Sequence, residues 1–378
     1  MGGYHGKYLR MDVSSGNAQW KPLAEAVLRR FIGGVGLGTW LLRREAPAGI
    51  DPLAPEAVLV FCFSPLVGTP LTTSAKFAVV GKSPLTYRLN DALSSSHFAL
   101  AGKRTGADAL VIVGACETPS LLIVENGKVR LESAGDLWGL ATDEATSRLA
   151  ERFGPEYHAA VVGPAGECRV RYATISHSRR HAGRGGLGAV MGAKRLKAIV
   201  VAGSQRVPVA DAESVVDAAR DLSRRSFGPA TAKYRELGTV ANLLTFNRLN
   251  ALPTHNFQQG HFVEADALSG EALNESRRVA RHSCAACTIG CEHIYQVGGQ
   301  ENPKSDVRLE YESLFALGPL CGIGDRDMVL RAAQLCDQLG MDTISTGATI
   351  AFAMECAERG LLDAPALRFG NSQILLDL

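Results

Sequence analysis

From Lys7 to Val13 polar and apolar residues alternate (KYLRMDV), and the next four, SSGN, are turn formers. A period of two closed by a turn predicts a strand with one buried face. Short β-rich runs follow: AVLVFCF (57–63), KFAVVG (76–81), ALVIVGA (109–115) and SLLIVENGKVRLE (120–132). The last contains Asn126-Gly127, a two-residue hairpin signal. DEATSRLAERFG (143–154) reads as a helix stopped by Gly154. HAAVVGPAG, RVRYATIS and KAIVVAGS return to strand.

From about Pro208 the period changes from two to three and four. Helices are predicted over DAESVVDAARDLSRRSFG, TVANLLTFNRLNA, DRDMVLRAAQLCDQLG and TISTGATIAFAMECAERG. The fold class is therefore α+β: a β-rich N-terminal domain over 1–206 and a mainly helical one over 207–378. The last ten residues, FGNSQILLDL, start a helix after Asn371 or Ser372 and stop within it at Leu378. So short a free helix is marginal in water, which implies a chain truncated relative to its fold.

Composition narrows the class. The 378 residues are 46% hydrophobic, enough for large cores, and the net charge of +2 lacks the basic excess of a nucleic-acid binder. The start MGGYHGKYLRMDVSSG has no apolar core of a signal peptide, and no apolar run approaches a membrane span. The nine cysteines are odd in number and do not suggest a secreted disulfide scaffold. The expectation is a cytoplasmic protein with no membrane and no nucleic-acid partner.

Four stretches could carry chemistry. In SCAACTIGC, Cys284, Cys287 and Cys291 follow a C-x₂-C-x₃-C spacing. Three thiolates on one loop suit an iron–sulfur cluster, a Cys₃His zinc site completed by His293, or three incidental buried cysteines; Cys321 and Cys336 are the nearby candidates for a fourth thiolate. In HAGRGGLGAVMGAKRLKAIVV (181–201), Gly183, Gly185, Gly186 and Gly188 let backbone approach a ligand, and Arg180, Arg184, Lys194, Arg195 and Lys197 add positive charge. The loop is either an anion nest or a tight turn; the Walker order is missing. GGVGLG (33–38) is only a loose match to a dinucleotide pattern.

In DQLGMD (337–342), two carboxylates flank Gly340 at a helix end. They could receive the N–H edge of a flat heterocycle, or Asp337 could be a solvated helix residue and Asp342 the cap of the next helix. In LEYESL, Glu310 and Glu312 are two apart and point to different sides.

Taken in chain order with GGYHGKYLRMDVSSG, FIGGVGLG, KSPLT and LPTHNF, these stretches resemble the aldehyde:ferredoxin oxidoreductase family of tungsten-pterin enzymes, from the N-terminus to Leu378. The resemblance implies a β-rich base for a tungsten (or molybdenum) bis-pterin, with a 4Fe–4S cluster beside it. It implies oxidation of a small aldehyde or carbonyl substrate to a carboxylic acid, with electrons leaving to ferredoxin or a similar carrier. It assigns Cys284, Cys287 and Cys291 to the cluster, and Asp337, Gly340 and Asp342 to one pterin. Arg180, His181, Ala182, Gly183, Arg184 and Gly185 lie by the same token at the pterin phosphates with Mg²⁺, and Glu312 is the acid/base candidate beside the metal.

The chain departs from the family in several places. Lys76 stands where many members have an arginine bridging cluster and pterin; it keeps the charge but not the bidentate fork. LSSSHF (93–98) replaces a more glycine-rich phosphate stretch, and Arg331 replaces a glutamate that helps bind a metal between two copies in the family's dimer. The third domain, with the fourth cluster cysteine, is expected beyond Leu378 or on a partner subunit; a homodimer is a further expectation. A related tungsten enzyme acting on an aromatic acyl thioester, and a non-catalytic or split-gene chain of the same fold, are the alternatives.

Overall fold

The computed structural model describes residues 1–95, 97–298 and 305–378. Ser96 of LSSSHF lies outside the described residues. The chain forms two compact units: Met1–Ser223 with Cys284–Cys287 and Gln338–Met341, and Arg224–Ser283 with Thr288–Asp337 and Asp342–Leu378. The class is α+β, with sheets early and helices later.

The first unit starts with β1 (Lys7–Asp12), β2 (Asn17–Pro22), α1 (Glu25–Phe31), α2 (Gly34–Glu45), β3 (Leu59–Phe63), β4 (Lys76–Lys82), β5 (Leu89–Ser95), α3 (His97–Arg104) and β6 (Ala109–Val113). Its six strands run in the order β2-β1-β6-β3-β4-β5. Only β1 and β6 are parallel neighbours. A second sheet takes β7 (Ser120–Glu125), β8 (Lys128–Ser133), β9 (His158–Val161), β10 (Ile175–His177), β11 (Arg180–Ala182) and β12 (Leu196–Ala202), in the order β11-β10-β9-β12-β7-β8. Between these strands run α4 (Thr142–Phe153), α5 (Pro164–Glu167) and α6 (Leu187–Ala193). Asn126 and Gly127 turn β7 into β8 with φ of 45° and 84°, both positive as a type I′ turn needs.

Strand alternation divides the side chains between layers. Leu59, Phe61 and Phe63 of β3, Phe77 and Val79 of β4, Leu122 and Val124 of β7, and Ile199 and Val201 of β12 share one core between the sheets. The intervening residues Val60, Cys62, Ala78 and Val80 face α1 and α2 through Leu28, Leu37 and Leu41. On the second sheet Leu121, Ile123, Ala198 and Val200 meet Leu149 of α4. The unit is thus layered helix–sheet–sheet–helix, each central strand buried on both faces.

Two predicted runs changed character. GGVGLG opens α2 rather than a nucleotide turn: a Cβ on Gly38 would lie 2.6 Å from Val80 Cγ2, so the glycine lets the helix settle on β4. RVRYATIS is strand only from Ile175, because Arg169 takes a left-handed φ of 59° after α5. Helix α7 (Ala212–Ser226) follows, its first twelve residues grouped with the first unit.

The second unit contains α8 (Ala232–Glu236), α9 (Asn242–Arg248), α10 (Gly270–Ser276), β13 (Arg278–His282), β14 (Glu292–Gln296), β15 (Asp306–Arg308), α11 (Tyr311–Leu317), α12 (Arg326–Leu339, its last two residues grouped with the first unit), α13 (Thr343–Glu358) and α14 (Ile374–Asp377). The small antiparallel sheet β13-β14-β15 is an addition to the helical expectation. Gly347 of α13 crosses α11 so closely that a Cβ there would lie 2.2 Å from Ala316 O. Among the described residues no helix is long and apolar enough to cross a membrane.

Candidate cofactor site

In the first unit β10 and β11 form a tight hairpin. Its central Ser178 and Arg179 have φ of 47° and 60°, type I′ geometry reached without glycine. It carries Arg180, which is buried, and His181, whose Nδ1 lies 2.9 Å from Ser176 Oγ. Ala182 is buried and Arg184 exposed.

The glycines that follow are not equivalent. A Cβ on Gly185 would lie 2.1 Å from Asn90, and one on Gly186 (φ 76°) 1.8 Å from Arg171 O. Gly188 would meet Thr174 O at 2.2 Å. Packing within the protein requires these three. Gly183 is different: half-buried, with nothing nearer than 3.8 Å to a Cβ. The N–H groups of Gly183 and Gly185 have no partner among the described residues. A glycine that packing does not demand, beside unmatched backbone donors, suits an anionic ligand such as a pterin phosphate.

Sequence reasoning missed two residues here. Asn90 on β5 donates to Arg184 O, and buried His177 has its Nε2 2.6 Å from Ser94 Oγ. The signal for Asn90 was weak, a single amide in an edge strand; that for His177 was absent.

The cysteine loop connects β13 to β14, closed by the His282–Glu292 pair. In the first unit, Cys287 N–H donates to Cys284 O at 3.1 Å, and Ala286 O accepts the N–H of Thr73 at 2.6 Å. Ala286 and Thr73 are both left-handed, at φ 52° and 64°. Lys76 lies three residues beyond Thr73, exposed at the start of β4. In the second unit, Cys291 is half-buried and Gly290 lies near Arg281 Nε.

Among the described residues no three His, Cys, Asp or Glu side chains are gathered as a metal-binding group. The three thiols are donors on one loop, not an assembled set. Their soft sulfur chemistry fits iron–sulfur ligation. His293, the alternative zinc donor, is buried on β14, and among the described residues neither ring nitrogen has a hydrogen-bond partner that meets normal geometry. Burial, then nearby Arg278, pulls its pKa below the usual value. Cys321 and Cys336 are core residues. Cys321 Sγ donates to Ala316 O and Gly347 O, and burial pushes both thiols up to about 12.

Gly340 follows α12 at φ 75°, the position that favours glycine after a helix. It belongs to the first unit, where Gly340 O accepts from Thr174 N–H at 2.8 Å. Asp337 and Asp342 lie in the second unit. Asp337 is half-buried near the end of α12. Asp342 caps α13: Oδ1 accepts from Ile344 N–H at 3.3 Å and Oδ2 from the Ser345 hydroxyl at 2.5 Å. In the same unit Glu310 is tied to Thr239 and Arg308, whereas Glu312, on the first turn of α11, is exposed and makes no hydrogen bond or ion pair among the described residues. Burial, then the charge of Glu312, pushes the adjacent Tyr311 phenol up to about 12.

The described chain thus sets a glycine loop on a two-sheet base and carries three clustered thiols on one loop between β13 and β14. Residues 8–203 match the N-terminal domain of aldehyde ferredoxin oxidoreductase, and residues 215–378 match its domains 2 & 3. The chain belongs to the aldehyde ferredoxin oxidoreductase family. It is 37% identical, over 99% of its length and 63% of the relative's, to the tungsten-containing aldehyde ferredoxin oxidoreductase of Thermococcus kodakarensis. It is 30% identical, over 97% of its length and 61% of the relative's, to the WOR-like subunit of an aliphatic sulfonate oxidoreductase of Pyrococcus furiosus. Among solved structures it resembles the active-site complex BamBC of benzoyl coenzyme A reductase with 1,5-dienoyl-CoA. There the TM-score is 0.86 at 25% identity, covering 99% of this chain and 59% of that one. The chain therefore spans less than two thirds of the length of these relatives.

Proposed function

We propose that the chain seats a tungsten (or molybdenum) bis-pterin and an iron–sulfur cluster in an enzyme that oxidises a small aldehyde to a carboxylic acid. Aldehyde and water become acid, two protons and two electrons, and the electrons pass to ferredoxin or a similar carrier. When bound, the metal-pterin supplies the two-electron chemistry. The protein's share is placement, charge and proton handling.

In this reading the N–H groups of Gly183 and Gly185, with Arg180 and Arg184, hold the pterin phosphates and their Mg²⁺. Asp337 and Asp342 accept N–H groups of the heterocycle. Cys284, Cys287 and Cys291 ligate the cluster, and Lys76 lends it positive charge. The unpaired Glu312 carboxylate takes a proton from the substrate side. The observation that carries the reading is Gly183, a half-buried glycine that no neighbouring protein atom requires. The relatives' names span aldehydes, aliphatic sulfonates and an aromatic thioester; the aldehyde reading follows the more similar of them, and no single aldehyde is proposed.

The test is the protein purified without oxygen from cells given tungstate. Tungsten, pterin and iron should copurify, reduction should give an iron–sulfur EPR signal, and aldehydes should drive reduction of a viologen dye. Zinc in place of iron would overturn the cluster assignment, and protein devoid of pterin would overturn the whole reading.

A further inference from the structure

We propose that a polar cavity of about 430 Å³ on the first unit binds a small dianion of phosphate or dicarboxylate type between Arg169 and Arg195. Its volume lies in the range of small-molecule sites. Neither the glycine loop at 183–186 nor the cysteine loop contributes to its walls.

The cavity is built where two short helices end together. A Cβ on Gly192 of α6 would lie 1.9 Å from Gly166 O of α5, so the two helices touch backbone to backbone. Each is followed, one residue past its cap, by an arginine in the left-handed conformation: Arg169 at φ 59° and Arg195 at φ 54°. Their N–H groups close the last turns on Gly166 O (3.0 Å) and Gly192 O (2.8 Å). Helices usually put glycine or asparagine there. A residue with a Cβ is strained in that conformation, where the Cβ crowds the following carbonyl. The chain accepts the cost twice, and each time the side chain lines the same cavity.

Neither arginine is paired with a carboxylate among the described residues. Glu167 also lines the cavity, but its Oε1 takes the buried Lys197 ammonium at 2.5 Å and its Oε2 takes Gly139 N–H at 2.7 Å. Arg195 donates to the backbone carbonyl of Glu117, not to its carboxylate. Arg169 makes no side-chain hydrogen bond or ion pair among the described residues. The exposed Glu117 is the one other acid on the wall. Half-buried Trp138 adds an indole N–H that has no partner among the described residues. Two guanidinium forks and an indole donor match the paired oxygens of phosphate or carboxylate groups. Offsetting the negative ends of α5 and α6 would need only a cation somewhere in each last turn, with neither a left-handed backbone nor a cavity.

The experiment is calorimetric titration of the full-length, anaerobically purified protein with inorganic phosphate and, separately, succinate at constant ionic strength, with tryptophan fluorescence read in parallel. At least one anion should bind saturably at millimolar concentration and change a signal that Trp138→Phe removes. In Arg169→Gly/Arg195→Gly binding should weaken at least tenfold. Glycine suits both backbone positions, so this variant should unfold at the same or higher denaturant concentration, and lost binding cannot be blamed on lost folding. Saturation by phosphate alone identifies a phosphate-bearing ligand, and saturation by succinate alone a dicarboxylate. Equal titrations in the double variant, or no saturation by either anion, would overturn the proposal.

Discussion

Asn90 donates its side-chain amide to Arg184 O at 3.0 Å, tying the edge strand of the first sheet to the loop that leaves the second. The contact leaves no space for a Cβ on Gly185 and fixes the path of the backbone through Gly183 and Gly186. Glycine replacements along this loop should therefore separate stability from cofactor retention.

Gly186→Ala should destabilise the protein by at least about 2 kcal/mol, from the left-handed penalty plus a backbone clash at Arg171 O. Gly183→Ala should shift stability by no more than about 0.5 kcal/mol, yet lower pterin content. Denaturant midpoints and pterin assays on both variants decide it; equal pterin content in Gly183→Ala and the native protein would refute the phosphate role.

Asp342 can be tested by separating its cap from its charge. Asp342→Ala should cost about 1 kcal/mol through loss of the cap on α13. Asn caps as well as Asp, so Asp342→Asn should keep thermal stability and, if the carboxylate also holds a pterin, lose pterin. Full pterin retention in the Asn variant would leave Asp342 as a cap alone.

Cys287→Ser should abolish the iron content and the EPR signal of reduced protein. Cys321→Ser should keep both, because Cys321 is spent on two core carbonyls. Iron lost equally from the two variants would mean that the ligand assignment is wrong.

Lys194 gives a pH signature. Its ammonium is buried against the carbonyls of Pro55, Ala57 and Gly114, and burial pulls its pKa from 10.5 down to about 8. Between these two values the unfolded chain holds more protons than the folded one, so stability from this group rises with pH across that window. The gain is up to roughly 3 kcal/mol. Measured as denaturation free energy from pH 8 to 10.5, the native protein should gain that much more, or lose that much less, than Lys194→Met, because buried thiols such as Cys321 and Cys336, raised to about 12, act in the opposite direction in both proteins. Parallel curves for the two proteins would show that Lys194 does not titrate there.

The strands that read clearly from sequence are those buried on both faces: LVFCF of β3, ALVIV of β6 and LKAIVVA of β12. β5 was illegible because LNDALSS buries few residues and is held by pairing along its whole length with β4. α2 was obscured by glycines of low helix propensity, of which Gly38 is required by a residue far along the chain, Val80. In the candidate site the glycine loop and thiol spacing were legible as motifs. Which glycine serves packing and which stands open depends on Asn90 and Arg171, and no local pattern carries that. The alternative roles weighed for Asp342 included capping, and its bonds to Ile344 and Ser345 display that one.

The alternation that splits β3 between two cores has a consequence for how the first unit opens. Phe61 belongs to the inter-sheet layer while its neighbours Val60 and Cys62 belong to the layer under α2. Neither layer can loosen without breaking the same ladder of amides between β3, β4 and β6. Those amides should exchange with solvent deuterium only through global unfolding, at a common slow rate. Amides of the edge strands β2 and β8, which bury no residue fully, should exchange through local fraying. The platform on which the glycine loop rests is thereby the last part of the unit to breathe.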